Sequence, residues 1–140
     1  MRLSYRAFAL IAATGCLGLS LVWLLAPQLL LSLWGVQQDE SVRLVGRRTA
    51  ALFLGIGVMF FVARNAEASV ARQALLAGFG IGCAALAALG LFELAMGRVG
   101  AGIFVAVVTE LLAASACLTL VLAKPGSESK FQLQQRQAQR

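Results

Sequence analysis

The chain contains no histidine, and only 13% of its 140 residues carry a charge. The first absence excludes imidazole-ligated metals and haem, and any Ser–His or Cys–His catalysis carried by this chain alone. The second sets it apart from a soluble domain, in which about 25% of residues are charged. Cysteine is scarce: Cys16, Cys83 and Cys117 show no C-x-x-C spacing, and each lies in an apolar stretch, where a free Cys packs as a small hydrophobe. The net charge of +6 comes without a basic patch interleaved with aromatics, so nucleic acid is not an expected partner. No stretch alternates with period two, which leaves helices rather than a closed β-barrel as the means of crossing lipid.

What is present is apolar bulk in long blocks. Hydrophobic residues make up 60% of the chain, and the charges sit between the blocks and at their ends. The first block runs from Ala7 to Trp34 without a charge, longer than the ~20 residues one crossing needs. Pro27 interrupts it and cannot continue a helix unbroken. The pattern predicts a span over Phe8–Ala26 and a short interfacial helix over Pro27–Leu33. Trp34 is then an interfacial anchor and Gly35 the stop. The run is too long for a signal-peptide core, and no A-x-A site follows it.

Three more spans follow: Leu44–Ala63, Gln73–Phe92 and residues 102–123, the last inside an apolar block bounded by Arg98 and Lys124. The expected fold is therefore all-α, a polytopic four-helix transmembrane bundle formed by residues 1–123. Residues 124–140, rich in Gln and basic residues, form a tail. With both termini inside, the inner side holds Arg2, Arg6, Arg64, Arg72, Lys124, Lys130, Arg136 and Arg140. The outer side holds Arg43, Arg47, Arg48 and Arg98. The positive-inside rule thus favours a cytoplasmic N-terminus and C-terminus, and a cytoplasmic tail. The small size suits a bacterial inner (plasma) membrane.

Three charged residues stand out as candidate site residues. Glu110 lies midway between Arg98 and Lys124, near the bilayer midplane, where a carboxylate costs about 2.5–3.5 kcal/mol on insertion scales. It shares a helix face with Ala106, Ala113, Ala114 and Cys117, by i, i+3, i+4, i+7 spacing. Leu111, Leu112, Phe104 and Val108 point elsewhere. Arg48 must lie in or at the edge of the second span, because the helix from Arg48 to Arg64 measures about 24 Å against a ~30 Å hydrocarbon core. Arg48 shares a face with Ala51, Leu52 and Gly55, and Glu93 closes the third span. A polar cluster of Arg48, Glu93 and Glu110 is expected, serving either as a packing clamp or as the lining of a small cavity for a lipid headgroup or quinone. Gly78-x3-Gly82 and Ala84-x3-Ala88 read as packing seams within the bundle. The hydroxyls of Thr49, Thr109, Ser115 and Thr119 are expected to bond back to their own helices.

The stretches LAPQLLLSLWG (25–35), VGRRTAALFLGIGVMFFVARN (45–65) and GLFELAMGRVGAG (90–102), followed by a span with an acidic residue, resemble small bacterial membrane proteins of the broad DoxX-like group. Pro27, Gly35, Arg48, Gly55, Glu93 and Gly97 carry the resemblance. It implies a four-helix inner-membrane protein, in some members associated with redox complexes and quinone reduction. It supplies no quinone-contact residues for this chain.

The residues point away from an enzyme: no catalytic residues, no metal ligands and no cofactors are identified. The expected role is an accessory subunit or a bundle that binds a lipophilic ligand. Its partners are membrane lipids and either a membrane protein or further copies of itself. Two alternatives are a small proton-coupled transporter using Glu110 and a redox subunit using the cysteines.

Overall fold

The computed structural model of the protein describes residues 4–37 and 39–122. The expected tail over 124–140 and the end of the last span at Ala123 lie outside the described residues. Five α-helices follow in chain order: α1 (Tyr5–Leu25), α2 (Pro27–Leu33), α3 (Glu40–Ala63), α4 (Val70–Ala95) and α5 (Ile103–Leu122). Among the described residues there is no strand. All but α2 are long and apolar enough to cross a membrane. The chain is therefore a multi-helix protein with four candidate spans.

Local chemistry sets the boundaries. Three helices begin earlier than the apolar blocks do, because polar caps precede them. Ser4 accepts from the Ala7 N–H at 3.2 Å, Asp39 from Val42 at 2.7 Å and Ser69 from Arg72 at 3.3 Å, satisfying donors that a helix leaves open at its start. Pro27 ends α1 as expected: Ala26 leaves helical geometry (φ −143°, ψ 54°), and Pro27 becomes the first residue of α2. Helix α2 closes at Gly35, whose φ of 70° suits glycine. The Val36 and Gly35 N–H groups donate back to Leu31 and Ser32, the pattern of a Schellman cap. Gly97 (φ 68°) repeats it at the end of α4, with Arg98 donating to Glu93 and Gly97 to Leu94.

The helices pack as two tight pairs, α1 with α3 and α4 with α5. Glycines mark the crossings. A Cβ on Gly57 would lie 2.8 Å from the Leu17 side chain, and one on Gly80 would lie 2.9 Å from Cys117 Cβ. The seam of α4 runs through Leu76, Cys83 and Ala87, all buried, with Gly80 and Gly90 against α5. The expected seam through Gly78, Gly82, Ala84 and Ala88 is not the one used: all four are exposed. The α-helical repeat allows either face of this Gly- and Ala-rich helix to come close to a neighbour, and the Leu76–Cys83–Ala87 face adds bulk that fills the contact.

At one end the pairs join in a shared core of Phe8, Ala9, Ala12, Ala13, Phe60, Leu76 and Cys117. Phe8, Phe60 and Phe79 meet edge to face there, Phe60 and Phe79 at 4.8 Å between centroids. At the other end, Trp34 packs against both the Trp23–Leu31–Ala50 cluster and the Ala87–Ile103–Val107 cluster. The Gly100 N–H donates to the Trp34 carbonyl at 2.7 Å, and Gly102 lies so close to the Leu33 carbonyl that no side chain fits. The outward surface is apolar: Ile11, Leu25, Leu52, Val62, Ile81 and Leu112 are exposed, and most residues of every candidate span are not buried.

Candidate functional site

Each residue singled out above has a distinct setting. Glu93 sits in the last turns of α4, three positions before the cap residue Met96. The Gly97 turn folds the chain back so that the next residue, Arg98, overlies it. Arg98 Nη1 donates to the Glu93 carboxylate at 3.3 and 3.4 Å. This is the one ion pair among the described residues, and it is exposed, so it contributes at most about 1 kcal/mol. Glu93 thus pairs with a local cation five residues away rather than with Arg48.

Glu110 lies in the middle of α5 and is half-buried. Ala106, Ala113 and Ala114 on its face are half-buried and Cys117 is buried, whereas Phe104, Val108, Leu111 and Leu112 are exposed. Its carboxylate has no hydrogen bond or ion pair among the described residues. Arg48 is exposed, as are its face neighbours Ala51, Leu52 and Gly55. The two residues are not joined. Helix α3 carries Arg48 and packs on α1, whereas α5 carries Glu110 and packs on α4. That pairing of helices leaves no opposite charge against either residue among the described residues.

Four helix hydroxyls are internally engaged, while the Tyr5 hydroxyl and Arg72 Nε are buried without a hydrogen-bond partner among the described residues. Thr49, Thr109, Ser115 and Thr119 each donate to a carbonyl of their own helix at 2.7–3.0 Å, as expected. All three cysteines are buried as free thiols. At the end opposite Arg48, Arg64 lies over the Phe61 ring and Arg72 over the Tyr5 ring, at 4.2 and 4.6 Å, both within the range of a cation–π contact. Arg72 also donates to the Ala66 carbonyl at 3.2 Å. The sequence marks these arginines as charges flanking a loop. Their aromatic partners arise from the tertiary fold and leave no local signal.

One concave feature was not foreseen. Between the end of α1 and the start of α3 runs an open groove of about 240 Å³, lined by Trp23, Ser41, Val42, Val45, Gly46 and Thr49. Gly46 lets the Trp23 ring pack directly on α3 beside it, since a Cβ there would lie 2.8 Å from the ring. The Thr49 hydroxyl is turned onto the Val45 carbonyl at 3.0 Å, so this wall offers little free polarity. The signal that could have found the groove is the pairing of Trp23 with a glycine one helix away, and it needs the three-dimensional register to be read.

Comparison with family models, curated proteins and solved structures finds no match to this chain. The class defined here is therefore a helical one, with four candidate spans in two pairs and no assembled catalytic group among the described residues.

Proposed function

We propose that the protein is a non-enzymatic integral membrane protein that holds a lipophilic ligand or serves as the accessory subunit of a membrane complex. In this reading it spans a bacterial inner membrane four times with both termini in the cytoplasm, α2 lies at the outer headgroup level, and it is related to the DoxX-like group. One observation carries the proposal: Arg48 and Glu110 stand on helices long and apolar enough to cross a bilayer, and neither has an opposite charge among the described residues. Hydrocarbon makes an uncompensated charge costly. The complement is therefore supplied from outside, by a lipid headgroup, a bound amphiphile or a neighbouring subunit. The exposed apolar belt supports the same environment, since a soluble monomer rarely shows contiguous apolar patches beyond a few hundred Å².

The test is extraction of the full-length protein from its own membrane into polymer nanodiscs, followed by native mass spectrometry. The expected spectrum shows the chain with a retained lipophile or a stoichiometric protein partner. A bare chain with neither, in every preparation, would remove the proposal.

A second reading has an observation of its own. Glu110 is central and has no partner among the described residues, the setting of a membrane carboxylate that takes up and releases a proton. Proton-coupled flux by the reconstituted protein that disappears in Glu110→Gln would support a transporter, and unchanged flux would eliminate Glu110 as the carrier.

A further inference from the structure

We infer that the groove between α1 and α3 binds one anionic phospholipid, with the phosphate held by the Arg48 guanidinium toward the Ser41–Val42 end and an acyl chain running inward along Trp23, Val45, Gly46 and Thr49. This rests on the proposed membrane placement and names the ligand of that reading. Three observations converge on it. The groove is open and apolar, and it follows α3 from Ser41 to Thr49, about 12 Å along the helix axis, the dimension of a chain segment rather than of a headgroup.

The second observation is the position of Arg48. On α3, Ser41, Val45, Arg48 and Leu52 follow one another at i+4, i+3 and i+4, so Arg48 stands next to the lining residues Ser41 and Val45, just outside the groove. A helical side chain leans toward its own N-terminus, which carries the guanidinium from the acyl region toward headgroup depth. The third is charge: Arg48 is exposed and has no carboxylate partner among the described residues. A guanidinium is permanently charged and matches a phosphate with two parallel hydrogen bonds. A quinone offers no charge to balance it. Arg47 is a built-in control. It is one residue away, exposed and basic, but about 200° around the helix from Val45.

The experiment places the full-length protein in nanodiscs of equal parts phosphatidylglycerol and phosphatidylcholine and counts the lipids retained on release in the mass spectrometer. The wild type should keep one phosphatidylglycerol in preference to phosphatidylcholine. Arg48→Gln should lower that preference about tenfold, the scale of one charge-assisted hydrogen bond, while Arg47→Gln leaves it unchanged. Val45→Trp, which fills the groove and keeps Arg48, should abolish retention of either lipid; Thr49→Phe replaces it if that variant does not fold, as judged by circular dichroism. Equal effects of the two arginine variants would reduce the lipid to general surface charge and overturn the site. So would retention that survives the filled groove, a quinone in its place, or a dimer in which the groove is covered by a second chain. If the native preparation keeps a lipophile or partner that none of these variants affects, the groove assignment fails and the broader function stands. If it keeps nothing, both fail.

Discussion

The two ends of this bundle are held by different means. At the end of Phe8, Phe60 and Phe79, side chains from all four long helices interlock in one core. At the end of Trp34 each pair has its own cluster, and the α2 end joins them through the single Trp34 side chain, which packs on both, and through backbone: Gly100 to Trp34, and Gly102 against Leu33. Interlocked side chains resist displacement in every direction, because close packing leaves little room to relax. A backbone bridge can open at a single turn. The groove, Arg48 and the Glu93–Arg98 pair all belong to the bridged end, where surfaces remain free to meet a ligand.

The largest effect should come from the interlocked end. Phe60 is fully buried, and Phe60→Ala should lower unfolding stability in detergent by about 2–4 kcal/mol. The cavity accounts for most of this loss, since lipid or detergent receives apolar groups in the unfolded state too. Denaturant titration followed by circular dichroism measures it. Gly102→Ala should come next, at about 1–3 kcal/mol, because its methyl would overlap the Leu33 carbonyl and push the bridge apart. Hydrogen exchange separates the two cases. In Gly102→Ala, protection should fall around Trp34 and Gly100 and hold around Phe60. Equal loss at both ends would erase the distinction between them.

Gly97→Ala should cost less, about 1–2 kcal/mol, since it forces a Cβ into left-handed backbone (φ 68°) with no steric neighbour nearby. Its effect should stay at the end of α4 and release the Arg98 pairing. A thermal melt that drops as far as that of Phe60→Ala would mean the bridged end carries more of the stability than its contacts imply.

The sequence announces features whose cause is local and conceals those whose cause is relational. Pro27 and Gly35 bracket α2 as read from the chain, because a missing N–H and a left-handed turn act within a few residues. The caps at Ser4, Asp39 and Ser69 are equally local, but they lie outside the apolar blocks, so the helices begin three or four residues before the apolar spans do. The pairing of helices was not legible. Every long helix is apolar around most of its circumference, so no amphipathic face names its partner. Gly80 and Gly78 are indistinguishable until the register with Cys117 is known. For the same reason Arg48 and Glu110 read as partners: a long side chain near the edge of a span can reach toward the midplane, and reach says nothing about which helices touch. Glu93 is the instructive case, since a cation five residues away across a glycine turn satisfied it before any distant arginine was needed.

That local pairing gives the smallest expected effect and the sharpest check on the bridged end. Arg98 and Glu93 are both partly solvent-accessible, with 58% and 30% of their side-chain surfaces exposed, so screening and side-chain entropy offset most of the attraction. Arg98→Gln should therefore change stability by no more than about 0.5–1 kcal/mol, and added salt should shrink the difference further. A larger loss that salt does not reduce would mean the pair lies sheltered, as it would if Glu93 were drawn into a charged cluster with Arg48. The double variant Arg98→Gln, Arg48→Gln decides between them: additive losses keep the two arginines independent, whereas strong coupling would bring them onto one carboxylate.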